Sequence, residues 1–364
     1  MKTGKRRLAA FAVVAATMLL ALVGVAVPAW AVEGSTDPQL PVTDNKVTIA
    51  SKLTMDENAM VPNVIFNYSI APASNNETTS TGGMPVTPGV DGAVSLSPAS
   101  VNYSDKRLTP ENADGIATIT AQLSAVLDAS KFPAPGIYRY KITQEKPVLD
   151  GLNVTHGVLF LDVYVENAEN GGSGYVVNGC TLSDKPSSGG KAAGFENEYA
   201  TYKLTIKKVV AGNQGEKNKD FQFTVSLSGV AGETYKCVKV KKDGTSTDEN
   251  VANSGSTASV NLRDGDSVTF YGLSSNDTYA INEADYSSAG YKTSYKIGDS
   301  ATEEEGKAIE ATSIGASDTL VTFTNTKDVT VPTDVVRTVV PYAAIVAFAA
   351  VMGVVFFRPR RNRR

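Results

Sequence analysis

Three polar residues continue apolar stripes in the C-terminal half of the chain, and together they could form a covalent bond. Read at every second residue, the stripes are Leu204, Ile206 and Lys208; Tyr279, Ile281 and Glu283; and Val321, Phe323 and Asn325. Alternate residues of a β-strand lie on one face, so the three polar side chains would enter the core with their apolar neighbours. The alternative is that they end their strands and reach solvent.

A lysine, a carboxylic acid and an amide that share a dry core can react with one another. Desolvation lowers the pKa of a lysine and raises the pKa of a glutamate, which favours a neutral amine beside a protonated acid. A neutral amine is a nucleophile, and a protonated carboxyl group can stabilise the oxyanion that develops on the asparagine carbonyl. The set therefore predicts an isopeptide bond from Lys208 to Asn325, with Glu283 as the acid and ammonia as the leaving group.

Short alternating stretches provide the strands that would hold these residues. The stretches VIFNYSI, GIYRYKI and FQFTVSL alternate at every second position, and the pairs Asp243-Gly244 and Asp264-Gly265 predict hairpin turns. The body between the two ends of the chain shows no long amphipathic pattern of the helical type. The sequence therefore predicts an all-β fold of Ig-like sandwiches rather than an α/β enzyme.

The strand pattern occurs twice, which divides the chain into two sandwiches in series. The stretches VTIASK and LTIKK open the two units, YRYKITQE and YAINEADY come late in them, and GFENEY and VTFTNTK close them. The boundary falls near Tyr199–Thr201, with almost no linker. We therefore predict a signal peptide at 1–31, an N-terminal domain at 32–199, a C-terminal domain at 200–330 and a C-terminal signal with a transmembrane helix at 331–364.

Both ends of the chain are typical of export and membrane retention. Residues 1–31 combine four basic residues, an apolar run and the small-x-small site Ala29-Trp30-Ala31, which predicts a cleaved signal peptide. The run Val339–Phe357 is long enough to span a bilayer, and the five arginines after it place the tail in the cytoplasm and the body outside. A plain membrane-anchored protein is the alternative, but it leaves the segment before the span unexplained.

That segment, Val331-Pro332-Thr333-Asp334, precedes the apolar span and the arginine tail in an order that resembles a Gram-positive cell-wall sorting signal. The resemblance implies that a sortase cuts after Thr333 and transfers the threonine carbonyl to an amine. The family has glycine where this chain has Asp334, so the sortase that reads the segment stays open.

Composition excludes several classes of function. Once the ten basic residues and the one acidic residue of the two ends are set aside, the body has a net charge of −13, which argues against nucleic acid or anionic lipid as a partner. Cys180 and Cys237 fall in different units, so we expect no disulfide. A single histidine, His156, predicts neither a zinc site nor a Ser-His-Asp set. We expect no cofactor, no metal and no enzyme activity beyond self-crosslinking.

The body as a whole resembles the streptococcal-type backbone pilins. The stretches NAMVPNVIFNYSI, GIYRYKITQEK, LTIKKVVAG, KDFQFTV, YAINEADY and TFTNTKD match in order, as do VPT and PYAA in the tail. The resemblance implies two CnaB-like (Ig-like) domains, each with an internal isopeptide bond, in a subunit that sortase links into fibres and joins to peptidoglycan. It assigns the bond of the second domain to Lys208, Glu283 and Asn325.

In the first domain the resemblance implies Asn197, within FENEY, as the amide. The family acid position falls on Gln144, and Glu145 follows it by one residue. The lysine candidate, Lys52, is one residue out of phase with Ser51. Because a β-bulge moves the following residues to the other face, two bulges would bring Lys52 and Glu145 to Asn197. The alternative is a first domain without a bond, because Gln144 cannot act as an acid.

A covalent fibre also needs a lysine that receives the threonine. The resemblance places it shortly before Asn197, which indicates Lys191 in SSGGKAAGFEN; Lys185 in SDKPSS is the second candidate, and an ordinary solvated lysine is the alternative. The sequence thus predicts a pilus shaft subunit at the cell surface, exported through the Sec pathway, held at the membrane as a precursor and linked from Thr333 to Lys191 of the neighbouring subunit. The other reading is a wall-anchored adhesin or minor pilin that is not polymerised and whose loops bind a host ligand of unknown kind.

Overall fold

The computed structural model describes residues 40–80, 84–104, 109–110, 115–168, 174–186, 190–329, 342 and 344–352. Within them the chain forms β-sandwiches, with short 3-10 turns at Asn75–Glu77, Ala129–Lys131 and Ser287–Ala289. The predicted all-β fold of tandem Ig-like sandwiches is confirmed. The signal peptide at 1–31 and the segment Val331-Pro332-Thr333-Asp334 lie outside the described residues.

Two sheets build the N-terminal sandwich. Its strands are β1 (Lys46–Asp56), β2 (Ile65–Pro72), β3 (Val86–Pro88), β4 (Val94–Leu96), β5 (Ser100–Asn102), β6 (Thr109–Pro110), β7 (Ile116–Leu127), β8 (Gly136–Gln144), β9 (Leu152–Val154), β10 (Val158–Asn167), β11 (Tyr175–Ser183) and β12 (Gly194–Tyr199). One sheet has the order β4-β7-β1-β12-β9, with β6 beside β7. The other has the order β11-β10-β8-β2-β5, with β3 beside β8.

Two further sheets build the C-terminal sandwich. Its strands are β13 (Tyr202–Ala211), β14 (Phe221–Ser228), β15 (Thr234–Val240), β16 (Ser246–Asp248), β17 (Ala252–Asn253), β18 (Thr257–Leu262), β19 (Ser267–Leu273), β20 (Thr278–Glu283), β21 (Lys292–Ile297), β22 (Glu304–Glu305), β23 (Ala308–Ser313) and β24 (Thr319–Thr326). The larger sheet has the order β16-β15-β19-β13-β24-β21-β22, with β17 beside β15. The smaller has the order β18-β14-β20-β23.

Each sandwich encloses its own apolar core. Strand β14 alternates between buried and exposed or half-buried residues, as the period-two pattern predicts for a strand with one face in a core. Aromatic side chains fill much of both cores, and the largest that are fully buried include Tyr103, Tyr140, Phe223 and Phe323. Burial of such side chains contributes about 1.5–3 kcal/mol each, so packing of the two faces holds each sandwich together.

The first and last strands of each sandwich are parallel neighbours. Strand β1 pairs with β12, and β13 pairs with β24, in both cases without a register shift. Parallel strands cannot be joined by a tight turn, so the intervening strands of each sandwich must close the connection. The same two positions of the fold are therefore adjacent in both sandwiches, which allows the two cores to be compared residue by residue.

The two predicted hairpin turns have different outcomes. Asp243-Gly244 does join two antiparallel partners, β15 and β16, and Gly244 takes the left-handed conformation with φ of 86°. Asp264-Gly265 instead joins β18 of the smaller sheet to β19 of the larger one, so the prediction of a hairpin there is wrong. A turn pair specifies a reversal of the chain, but the pairing of the flanking strands depends on tertiary packing.

A buried ion pair lies on the outer face of β8 and β10. Arg139 donates to Asp162 through both Nε, at 2.6 Å, and Nη2, at 2.7 Å, and the two residues are 2% and 3% exposed. The Arg139 Nη1 group also donates to the backbone carbonyls of Glu77 and Pro186. The pair therefore ties two loops to the sheet with its charges almost fully desolvated.

Asp162→Ala is expected to lower the free energy of unfolding of the N-terminal sandwich by about 3–5 kcal/mol, because it leaves the Arg139 guanidinium buried without its partner. Asp220→Ala is a matched control, since Asp220 pairs with Arg263 at an exposed site where both side chains are about half exposed. That change should cost at most about 1 kcal/mol. Urea denaturation followed by circular dichroism measures both; equal effects would contradict the prediction.

Residue 342 and residues 344–352 are helical. In the part of the chain that the structure describes, no helix is long and apolar enough to cross a membrane. The predicted span Val339–Phe357 falls only partly within that part.

Candidate functional site

Three strands bring Lys208, Glu283 and Asn325 into the core of the C-terminal sandwich. In the larger sheet Lys208 of β13 pairs with Phe323 of β24, and Val210 pairs with Asn325, so the lysine and the asparagine are two positions apart on neighbouring strands. Glu283 belongs to β20 of the smaller sheet, opposite Phe223. The carboxyl group thus approaches from one sheet while the amine and the amide belong to the other.

All three side chains are completely buried. Lys208 Nζ lies 3.1 Å from Glu283 Oε1 and 3.4 Å from the Phe323 carbonyl oxygen, and it lies 4.6 Å from the centroid of the Phe221 ring. Burial lowers the pKa of Lys208 to about 8, and burial raises the pKa of Glu283. The two shifts approach each other, so transfer of the proton from the ammonium to the carboxylate becomes much easier than in water.

Asn325 is unusual for a buried amide. Neither its Oδ1 nor its Nδ2 has a hydrogen-bond partner with acceptable geometry among the described residues, and the Glu283 carboxyl group contacts Lys208 as an ion pair without a well-aligned hydrogen bond. An unsatisfied buried polar group costs about 1–3 kcal/mol, and most native cores avoid it. Asn325 is therefore a buried amide with poor hydrogen-bond geometry in the same core as the Lys208–Glu283 pair.

The corresponding position in the N-terminal sandwich contains Ser51, Gln144 and Asn197. Asn197 of β12 pairs with Leu53 of β1, which is two residues after Ser51, just as Asn325 pairs with the residue two after Lys208. Gln144 of β8 pairs with Tyr68 of β2, as Glu283 pairs with Phe223. Ser51, Gln144 and Asn197 are 0%, 5% and 3% exposed.

These N-terminal residues form hydrogen bonds rather than an amine–acid pair. Gln144 Nε2 donates to Asn197 Oδ1 at 2.6 Å, and Asn197 Nδ2 donates to the backbone carbonyl of Lys52 at 3.2 Å. The Ser51 hydroxyl is 2.7 Å from the Tyr68 hydroxyl and 2.6 Å from that of Tyr103. Burial raises the pKa of both tyrosines, so they remain neutral.

The structure does not bring Lys52 and Glu145 to Asn197. The pairing of β1 with β7 and β12, and of β2 with β8, runs without a register shift, so the two bulges that the sequence argument required are absent from these pairings. Lys52 is only half-buried and Glu145 is exposed. The expectation of a Lys52, Glu145 and Asn197 set is therefore corrected: simple strand phase, which places Ser51 and Gln144 inward, was the better guide.

Lys191, the candidate acceptor, is exposed and lies three residues before β12. It forms an isolated antiparallel bridge with Ser183, and the Ala192 amide donates to the Leu182 carbonyl at 3.1 Å. Lys185, the second candidate, is exposed as well. Both lysines thus lie at one end of β11, and Thr333, the candidate donor, lies outside the described residues.

A pair of buried carboxyl groups was not anticipated from the sequence. Glu233 and Asp277 immediately precede β15 and β20 and are 8% and 0% exposed. Ser274 donates to Asp277 through its amide and hydroxyl, whereas Glu233 Oε2 accepts from the Val230 amide at 2.9 Å and the Tyr235 hydroxyl at 3.3 Å. Burial, and then the Asp277 charge, raise the pKa of Glu233 to about 7. Both residues sit in loop-like stretches, where periodicity carries no signal.

The C-terminal sandwich is expected to become less stable as the pH rises from about 4.5 to above 7. The folded-state pKa of Glu233 exceeds its ordinary value of 4.5, so its contribution is complete below pH 4.5 and is lost as the pH passes through about 7. The loss should reach about 2–3 kcal/mol. Glu233→Gln should remove most of this pH dependence in urea denaturation at pH 5, 6, 7 and 8. An unchanged pH profile in that variant would contradict the assignment.

Comparison with known proteins finds similarity to pilus proteins of Streptococcus pyogenes. A family model described as a domain of unknown function, DUF7601, matches residues 202–327. A curated pilin from Streptococcus pyogenes serotype M1 is 29% identical over 336 residues, which are 88% of this chain and 92% of that protein. The pilus tip adhesin Cpa of Streptococcus pyogenes is 34% identical over 135 residues, which are 36% of this chain but 18% of that protein.

Solved structures agree with the sequence relatives. The crystal structure of the major pilin from Streptococcus pyogenes is 26% identical, with a TM-score of 0.53, over 79% of this chain and all of that one. A mutant of that major pilin gives a TM-score of 0.52 at 27% identity, over 78% of this chain and 99% of that one. The similarity thus extends over both sandwiches and not over the C-terminal one alone.

Proposed function

We propose that this chain, a relative of the streptococcal major pilins, is the repeating shaft subunit of a covalently linked surface pilus. The observation that carries the proposal is the extent of the similarity: it covers 92% of the curated pilin but only 18% of the tip adhesin. A shaft subunit is defined by its whole repeating body, so similarity over the whole body favours it. We assign the body to two domains, 32–199 and 200–330.

The buried set in the C-terminal domain supports self-crosslinking. The Lys208 ammonium passes a proton to Glu283, and the neutral amine attacks Cγ of Asn325. The protonated Glu283 stabilises the oxyanion, the bond from Cγ to Nδ2 breaks, and the amide nitrogen takes the proton and leaves as ammonia. One C–N bond replaces another, and the proton that the attacking nitrogen loses returns to Glu283, which ends protonated. The 3.1 Å contact between Lys208 and Glu283 supports the first of these steps.

The assembly reaction would use Thr333 at the end of the body and Lys191 in the segment between β11 and β12. A sortase would cut after Thr333, hold the threonine as an acyl group and transfer it to Lys191 of the next subunit, and the last subunit would be passed to peptidoglycan. The exposure of Lys191 supports its role as acceptor. The signal peptide at 1–31 and the segment after Thr333 would serve export and retention before this transfer.

Immunoblotting of cell-wall extracts from the native host, with antibody against this chain, tests the proposal. A shaft subunit should give a ladder of high-mass species that survives boiling in detergent, because the links are covalent. A single band at the monomer mass would favour the wall-anchored adhesin or minor pilin, for which the similarity to the tip adhesin is the supporting observation.

A further inference from the structure

The two sandwiches have different side chains at two of three equivalent core positions. By strand register, Ser51 takes the place of Lys208, Gln144 takes the place of Glu283, and Asn197 corresponds to Asn325. The N-terminal site therefore keeps the amide but has neither the nucleophilic amine nor the acid. A glutamine side chain is a neutral amide that neither takes up nor releases a proton at physiological pH. Even an amine in that core would therefore lack a proton acceptor.

A third residue, Tyr103, contacts the N-terminal counterparts of both Lys208 and Phe221. In the C-terminal core the Lys208 amine lies over the Phe221 ring, at 4.6 Å from the centroid. In the N-terminal core Phe66 is two residues before Tyr68, as Phe221 is two residues before Phe223, and the Phe66 and Tyr103 rings make a T-shaped contact with centroids 5.1 Å apart. The Tyr103 hydroxyl closes the contact by bonding to Ser51 at 2.6 Å.

Hydrogen bonds also stabilise the side-chain amide of Asn197 in the N-terminal sandwich. Both polar atoms of Asn197 have partners, since Oδ1 accepts from Gln144 and Nδ2 donates to the Lys52 carbonyl. Asn325 has none of adequate geometry among the described residues. A serine hydroxyl is a weak nucleophile without an adjacent base, and the groups bonded to Ser51 are two neutral phenols.

We propose that Ser51, Tyr103 and Gln144 switch off crosslinking at Asn197, so that the N-terminal sandwich has no covalent link between its first and last strands. The proposal rests on the isopeptide chemistry proposed for the C-terminal sandwich. It follows that one subunit combines a crosslinked domain with an uncrosslinked one. It also follows that three substitutions should convert Asn197 into a crosslinking residue.

The first test is a tryptic digest of the wild-type full-length chain, analysed by mass spectrometry. We expect one branched peptide that joins Lys208 to Asn325 with loss of one ammonia, and an unmodified peptide that contains Asn197. A branched peptide joining any lysine to Asn197 would overturn the inference. Absence of the branched Lys208 peptide would instead overturn the proposed chemistry, so the two failures are distinguishable in one digest.

The second test builds the missing bond. The triple variant Ser51→Lys, Tyr103→Ala, Gln144→Glu should lose a second ammonia and yield a branched peptide between position 51 and Asn197. The matched control Ser51→Lys, Tyr103→Ala keeps Gln144 and should not. Calorimetry of the wild type should show the N-terminal sandwich unfolding at the lower temperature, and the triple variant should shift that transition upwards. A folded triple variant without the branched peptide would contradict the assignment of these positions.

Discussion

Glu283→Gln is expected to leave the C-terminal domain one ammonia heavier than the crosslinked wild type. Glutamine has nearly the shape of glutamate but cannot accept the Lys208 proton, so the amine stays charged and does not attack Asn325. Intact-mass measurement of the exported body, residues 32–333, reads the outcome directly. The site then contains the same acid-position residue that the N-terminal sandwich has naturally in Gln144.

The same change should lower the free energy of unfolding of the C-terminal domain by about 4–5 kcal/mol. A covalent link between Lys208 and Asn325 closes a long loop and restricts the unfolded chain, and a disulfide that closes a loop of similar length contributes that amount in the chain-entropy model. The measurement is urea denaturation by circular dichroism, compared with the wild type at the same pH.

Two further variants separate the reaction from simple disruption of the core. Asn325→Ala leaves the Lys208–Glu283 pair in place but removes the acyl group, so its mass should equal that of its sequence. Lys207→Ala alters the exposed neighbour of Lys208 on the opposite face of β13 and should keep the bond. A wild-type mass equal to its sequence would refute the crosslink outright.

Lys191→Ala is expected to abolish the high-mass ladder in cell-wall extracts. The monomer should still fold, since Lys191 is exposed and precedes β12. It should also remain on the cell, because Thr333 and the wall-attachment step are unaffected. Immunoblots of wall and culture-medium fractions measure both effects.

Lys185→Ala is the matched control for the acceptor, since Lys185 is also exposed and lies at the same end of β11. The ladder should persist in that variant. If the ladder survives Lys191→Ala and is lost in Lys185→Ala, the acceptor is Lys185. If no tryptic peptide from the polymer joins Thr333 to a lysine, the proposed sortase linkage is wrong.

Strand phase alone was enough to find the C-terminal site. Lys208, Glu283 and Asn325 each continue an apolar stripe, and regular strands without bulges keep such residues in the core. The same rule, applied strictly, places Ser51 and Gln144 inward in the first domain. The error there came from preferring a lysine and a glutamate one residue away, which required two bulges that the register does not contain.

Other features depend on contacts that no local pattern encodes. Tyr103, the residue after β5, reaches Ser51 of β1 across 52 positions of sequence, and only the packing of the two sheets makes them neighbours. Glu233 and Asp277 are neighbours because the segments before β15 and β20 converge. The turn at Asp264-Gly265 connects two different sheets, which the turn residues themselves do not specify. Periodicity predicts which face a residue occupies, but it does not predict which strand or loop that face meets.

The parallel placement of first and last strands decides how a stretched fibre would carry its load. In a polymer linked from Thr333 to Lys191, tension enters just before β12, passes along that short strand and continues directly into β13. Residues before 191 lie beside this route and bear no pull. In the C-terminal sandwich, by contrast, everything between β13 and β24 lies on the route, and a bond from Lys208 to Asn325 would shorten the route to a few residues at either end. The proposed bond would thus lie where stretching would otherwise unfold a domain, whereas most of the N-terminal sandwich would lie outside the path of the tension.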